Sequence, residues 1–307
     1  MEYCSASDFP GAGMAFGREG AGPGAKFLAD LGKCDALVHV VRAFDDPAVA
    51  HPEGGVDPGR DIATMDLELA FADLALIEKR VERIGVQMKA ANHSERDAAQ
   101  RELAVLRRMR EHLEAEAPLR AQTFSDDERR LLTTYQFLTT KPLLVALNVG
   151  EGDAPRAVAM EAELRERYAV PLTEVAAICG KLEEELSRLP DDEAAQFRAE
   201  LGLAGQESSL ARVIRLSYAL VGLISFFTVG EDECRAWTVR QGVAAQEAAG
   251  KIHSDLERGF IRAEVVRWDD LLECGSMAEA KKRARLRVEG KQYVVHDGDV
   301  MHVLFNV

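Results

Sequence analysis

Gly222-Leu-Ile-Ser-Phe-Phe-Thr-Val-Gly230 and Glu289-Gly-Lys-Gln-Tyr-Val-Val-His-Asp-Gly-Asp-Val-Met-His-Val-Leu-Phe-Asn-Val307 bracket the last part of a 307-residue chain. The first is an apolar, β-rich run stopped by a glycine. The second alternates Tyr293 and Val295, then Val300, Val303 and Phe305, about the turn Asp297-Gly298-Asp299. Both read as strands of a small sheet, because β-branched and aromatic residues suit a half-buried pleat. Between them, residues 249–265 read as a turn followed by another strand. Residues 268–285 are charged, with helical spacing of Leu271, Leu272 and Ala278. A β-grasp module, a curled sheet crossed by one helix, is the economical reading of residues 223–307.

Upstream the pattern changes. Residues 1–25 carry Gly11, Gly13, Gly17, Gly20, Gly22 and Gly24 without hydrophobic periodicity and read as loop. A short helical pattern at 26–32 precedes residues 35–44, which read as a buried strand of a parallel sheet. Residues 45–60 form a polar loop with three prolines. From Asp61, the residues Leu67, Phe71, Leu74, Ile77, Val81, Ile84 and Met88 recur at steps of three and four, one stripe of a long helix. A cap is expected at 94–97, and Leu103, Leu106, Met109 and Leu113 make a second stripe before Pro118. Residues 61–118 are therefore expected as an antiparallel helical hairpin whose first arm, at about 1.5 Å per residue, is roughly 40 Å long. Ser125-Asp-Asp-Glu128 is a capping box for a helix through Leu138.

Residues 141–148 read as a second buried strand, 154–168 as a helix, 171–178 as a third strand and 181–189 as a helix start. Residues 208–220 form an apolar-striped helix. Strand, helix and strand with short connections imply a parallel α/β layer. It is built from residues 1–60 and 119–222, with the hairpin inserted.

The net charge of −14 is uneven: residues 223–307 hold 12 Lys and Arg against 14 Asp and Glu, so the acid sits upstream. Such a chain disfavours nonspecific polyanion binding, and any nucleic-acid contact must be local. The longest apolar run, residues 219–229, is far shorter than the roughly twenty residues of a bilayer span. The first residues offer neither a basic nor an apolar leader region, so a cytoplasmic location is expected. Cys4, Cys34, Cys179, Cys234 and Cys274 are odd in number and form no C-x-x-C pair, which favours reduced thiols over disulfides or zinc.

The order strand, polar histidine loop, helical hairpin, strand ending in Asn148-Val-Gly-Glu151 and β-grasp tail resembles the Obg-like ATPases of the YchF type. The resemblance covers about residues 26–307, and the tail resembles that family's TGS domain. It implies a P-loop-NTPase layer of TRAFAC type that binds ATP over GTP with Mg2+. In GTPases a carboxylate after this strand accepts from guanine's edge; in Asn-x-x-Glu its place has moved, relaxing the preference toward adenine. Asn148 and Glu151 then meet the base, and Ala177 and Cys179, in Ala176-Ala-Ile-Cys-Gly180, line it from the next loop. His51 positions the attacking water where Ras-like enzymes use glutamine. The tail implies ribosome or RNA as partner, contacted through Lys281, Lys282, Arg283, Arg285 and Arg287. By spacing alone Asn-x-x-Glu fits any turn after a strand, His51 any surface loop, and the five cations a solvated helix end.

One departure is large. The 307 residues contain no Gly-x-x-x-x-Gly-Lys-Ser/Thr, whose amides and lysine cradle phosphates. Gly20-Ala-Gly-Pro-Gly-Ala-Lys26-Phe27 has an alanine before the lysine and a phenylalanine for the hydroxyl. By position it resembles the family's switch II loop, with Asp8 and Gly11 as its Asp-x-x-Gly. A fragment of an ATPase and a divergent member that no longer hydrolyses both remain open. Either way negligible hydrolysis is expected, and the incomplete sheet should expose apolar surface and favour self-association. A non-catalytic ribosome- or RNA-binding module is the other reading.

Overall fold

A computed structural model describes residues 25–51, 53–230 and 233–306. The glycine-rich opening, with Asp8 and Gly11, lies outside the described residues. The chain divides into two compact units, residues 1–220 and 221–307.

The first unit runs α1 (Ala25–Lys33), β1 (Leu37–Ala43), α2 (Pro58–Gln87), α3 (His93–Glu114), α4 (Asp126–Leu132), β2 (Leu143–Val149), α5 (Ala157–Arg167), β3 (Thr173–Ile178), α6 (Gly180–Leu186), α7 (Asp191–Glu200) and α8 (Ser209–Leu220). Its three strands form a parallel sheet in the order β1-β2-β3. Central β2 is buried on both faces from Leu143 to Leu147, hence its unbroken apolar run. Leu143, Val145 and Leu147 face one core with Leu37, Val41 and Val175. On the other face, Leu144 and Ala176 pack against Leu216 of α8.

Strand β1, expected buried, is an edge of the sheet among the described residues. Leu37 and Val41 point into the core, but Val38 and Val40 are 44% and 60% exposed. Its solvent-side positions are valines, so its sequence imitates a central strand. The apolar surface expected of this sheet is present at these two residues.

Helix α2 begins at Pro58, with the Asp57 side chain accepting from Arg60 N at 3.0 Å. Its 30 residues span roughly 45 Å. The expected stripe holds only in its second half. Ile77 and Ile84 meet Leu106, Met109 and Leu113 of α3, whereas Ile62 and Leu69 pack into the sheet's core. Leu67 and Phe71 are left exposed. The helix serves two cores on two faces, which one stripe cannot describe. The cap of α3 is Asn92 in a capping box with Glu95, ahead of the expected Ser94. The Ser125–Glu128 box starts α4 as expected, but α4 ends at Leu132. There the Thr133 and Thr134 hydroxyls donate to Arg130 O and Leu131 O, and the chain turns to bury Phe137.

Three polar joints tie the hairpin down. Buried Asp73 accepts from Leu138 N and Thr139 N, both at 2.8 Å, and from the Thr139 hydroxyl at 2.6 Å. Arg80 donates to both oxygens of Glu102 at 2.6 and 2.9 Å, and the Tyr135 hydroxyl donates to the same carboxylate. Arg120 reaches Thr173 Oγ1 at 2.9 Å and Asp66 at 3.6 Å.

The second unit runs β4 (Leu223–Val229), β5 (Cys234–Arg240), α9 (Ala245–Ile252), α10 (Ser254–Arg258), β6 (Phe260–Arg267), α11 (Trp268–Cys274), α12 (Met277–Lys282), β7 (Arg287–Glu289) and β8 (Asp299–Phe305). The sheet order is β5-β4-β8-β6-β7, with β4 and β8 parallel and the other pairs antiparallel. Alternation sends Phe226, Val265 and Met301 toward α9, and Phe227, Val266 and Val300 toward α11 and α12. Helices therefore cover both faces, where one crossing helix was expected. The turn read at 249 is the end of α9 followed by α10. The single helix read over 268–285 is two, divided at Gly275, whose φ of +75° closes α11. Residues 293–295, read as strand, make an isolated bridge between Val294 and Ala244, outside the strands of the sheet.

Candidate functional site

The loops after β1, β2 and β3 leave the same, C-terminal edge of the parallel sheet. Open α/β sheets hold ligands in that position. The pairing of Arg42 with Asn148, and of Asn148 with Ile178, brings the three strand ends into line.

Asn148 ends β2, and its Oδ1 accepts the Gly180 N–H at 3.0 Å. A Cβ at Gly180 would stand 3.3 Å from that oxygen, so glycine permits the approach. Glu151 opens a 3-10 turn at 151–156 and pairs with Lys181 Nζ at 2.6 Å. The loops after β2 and β3 are thus joined twice, once by a buried-side amide and once by an exposed ion pair. The Lys181 ammonium is shifted up by its hydrogen bond to Glu151 and by that charge. Ala177 and Cys179 are buried. The Ala177 N–H donates to Glu161 Oε2 at 3.0 Å, and its carbonyl accepts from Arg212 at 2.7 Å, so its main chain serves the fold. Burial pushes the Cys179 thiol up, as do the Glu151, Glu183 and Glu185 charges. A shallow recess lies beside Cys179, lined by Leu182, Glu183, Arg198 and Arg212 among others; neither Asn148 nor Glu151 lines it.

His51 sits in the loop after β1. Its Nε2 lies 3.0 Å from Asp61 Oδ2, and its Nδ1 accepts the Glu53 N–H at 3.2 Å. Two arginines staple this loop. Arg42 donates to Phe44 O, Asp46 O and Val49 O, and Arg60 donates to Gly55 O and Asp61 Oδ1. His39, on β1, is lowered to about 4 by burial, which Asp61 opposes.

The five cations of 281–287 are gathered on the second unit, but each has a carboxylate within reach. Lys281 pairs with Glu264 at 3.3 Å, Lys282 and Arg283 with Glu279 at 3.4 and 3.3 Å, and Arg285 with Asp270 at 3.1 Å. Arg287 stands 3.7 Å from Asp299 and 3.8 Å from Glu289.

Sequence reasoning missed Asp61 and Lys181. An acid in the first turn of a helix, ten residues after a loop histidine, was the available signal for Asp61. Lys181 carried none beyond following the glycine that opens α6. Among the described residues no group of three His, Cys, Asp or Glu side chains is placed to hold a metal ion, and no helix is long and apolar enough to cross a membrane.

Residues 223–306 match the family model YchF-GTPase_C, described as "Protein of unknown function (DUF933)". The chain is 45% identical over 291 residues to the ribosome-binding ATPase YchF of Bacillus subtilis, covering 94% of this chain and 78% of that protein. It is 36% identical to Obg-like ATPase 1 of Caenorhabditis elegans, covering 94% and 72%. The solved Schizosaccharomyces pombe YchF GTPase superposes with a TM-score of 0.79 at 31% identity, over 94% of this chain and 77% of that one. With such coverage and identity, the chain belongs to the YchF-type family of ribosome-binding ATPases.

Proposed function

We propose that these residues form the base-reading and water-positioning parts of a ribosome-associated, ATP-preferring nucleotide site that hydrolyses negligibly on its own. The observation that carries this is the double joint at the sheet's C-terminal edge. The bond from Gly180 N to Asn148 Oδ1 fixes the two loops, and the ion pair of Glu151 with Lys181 offers an acceptor and a donor beside them. An adenine edge, with its N6 amine as donor beside its N1 acceptor, suits such a pair. His51 stands in the loop after the neighbouring strand, where the family resemblance puts the residue that orients water.

The base side offers hydrogen-bonding groups to a nucleotide, whereas the 307 residues contain no Walker-type lysine loop to cradle phosphates. Phosphoryl transfer depends on charge stabilisation at that cradle. Nucleotide affinity should therefore be weak and turnover near background. The test is thermal unfolding with and without ATP, GTP and Mg2+. For a Kd of about 1 mM, 5 mM ATP stabilises by ~1 kcal/mol, a rise of roughly 2–4 °C for a unit of this size. GTP should give a smaller rise, and Glu151→Ala should abolish the difference. No rise with either nucleotide overturns the proposal. It would then favour an RNA- or ribosome-binding module acting through the exposed cations at 281–287, whose affinity falls steeply with salt.

A further inference from the structure

We propose that Asp61 is the positioning residue of His51, holding its imidazole in a single tautomer with Nδ1 as the working lone pair. The first step is chemical. A backbone amide only donates, and the Glu53 N–H points at His51 Nδ1 at 3.2 Å. That nitrogen must be unprotonated, so the ring proton is on Nε2, 3.0 Å from Asp61 Oδ2, to which it donates. The carboxylate is itself held. Its other oxygen accepts from Arg60 Nε at 3.1 Å and from a terminal Arg60 nitrogen at 2.9 Å. Asp61 lies in the first turn of α2, whose start is fixed by the Asp57 cap and by the Tyr168 hydroxyl donating to Gly59 O at 3.1 Å. Nε2 is therefore anchored to a rigid element.

Nδ1 is tied differently. Its partner is an amide two residues along the same loop, next to Gly54 at φ +77° and Gly55, where an added Cβ meets nothing within 4 Å. Movement at these glycines releases the Glu53 amide while leaving the Asp61 bond intact. The freed Nδ1 then presents a lone pair to a water O–H, in an orientation fixed from the far side of the ring. No other nitrogen of His51 can do this, because Nε2 carries the proton.

The rival role for Asp61 is that of an acid in a helix's first turn, favoured by the positive end of the helix dipole. That role is indifferent to the tautomer of His51. The inference rests on the proposed task of His51 for its place in catalysis, but its test reads the imidazole directly, so the two can fail separately. A two-bond 1H–15N spectrum of the histidine-labelled 307-residue chain near neutral pH is recorded. His51 is identified among the seven histidines as the signal lost in His51→Gln.

In the unmodified chain we expect one nitrogen at the protonated position and Nδ1 at the bare position. In Asp61→Asn the amide oxygen still accepts, and the pattern should persist. In Glu53→Pro, which removes the competing amide donor, Asp61 alone should keep the pattern; Asp61→Ala in that background, or Asp61→Leu should the alanine variant not fold, should move both nitrogens to tautomer-averaged positions. Circular dichroism verifies the fold of each variant measured. A fixed pattern surviving in the alanine or leucine variant of that background overturns the assignment. So does an averaged pattern in the unmodified chain or in Asp61→Asn. Loss of the ATP-dependent thermal shift with the tautomer pattern intact would instead refute the nucleotide reading alone.

Discussion

Asp73→Ala should destabilise the first unit by about 3 kcal/mol. Asp73 is 2% exposed, and its two oxygens satisfy the main-chain N–H groups of Leu138 and Thr139 together with the Thr139 hydroxyl. Alanine removes the acceptor and leaves the Leu138 and Thr139 amides buried without partners, each costing about 1–3 kcal/mol. The hydroxyl can rotate, so it contributes less. Part of the loss is returned, because burial raises the Asp73 carboxyl above its ordinary range, a sign that the charged form is strained there. Two amides at ~2 kcal/mol each, less about 1 kcal/mol for the relieved charge, leave ~3 kcal/mol.

Urea unfolding followed by far-ultraviolet circular dichroism is the assay, since α2 and α3 alone supply 52 helical residues. At a slope of ~2 kcal/mol/M the midpoint should fall by about 1.5 M. Both tryptophans, Trp237 and Trp268, lie in the second unit, so their fluorescence gives a separate gauge of that unit. Asp73→Asn should also destabilise, because its NH2 group must face one of the two amide donors. A midpoint change below about 0.3 M in Asp73→Ala would refute the reasoning that this carboxylate carries the joint between α2 and the approach to β2.

Two further outcomes are expected. Glu102 is pushed up by burial but held net below its ordinary range by Arg80 and the Tyr135 hydroxyl. A carboxyl depressed in the folded state adds stability above its unfolded pKa and loses it as pH falls through the folded value. Glu102→Gln should therefore lower the thermal midpoint at pH 7 and flatten its decline toward acid; an unchanged decline would refute this. The exposed Val38 and Val40 predict concentration-dependent self-association of the chain. Static light scattering should show mass rising with concentration, and Val40→Lys should suppress the rise; a constant mass in the unmodified chain contradicts the prediction.

What could be read from the sequence, and what could not, divides along a physical line. Strand β2 was legible because burial on both faces demands an unbroken apolar run, and α3 because its one core-facing stripe has a single helical period. Strand β1 misled because valines on its solvent side resemble burial, and α9 escaped because Ala245, Ala248 and Ala249 fill their core with almost no hydrophobic signal. Asp73, Glu102 and Glu161 were invisible as buried charges. Their partners lie elsewhere in the chain, as Leu138 does for Asp73, and a local window sees only an acid on a helix.

The same line runs through the candidate site. His51, Asn148 and Glu151 were reachable by family resemblance, since each holds a fixed place after a strand. Asp61 and Lys181, which pair with His51 and Glu151, were not. Whether Glu151 offers a free carboxylate or a paired one, and which nitrogen of His51 bears the proton, depends on where a neighbouring loop or helix returns to the sheet edge. Position along the chain is inherited from periodicity, but protonation and pairing are set by tertiary approach. A motif at this edge therefore places a residue along the chain, while the partner that pairs with it is found only in the fold.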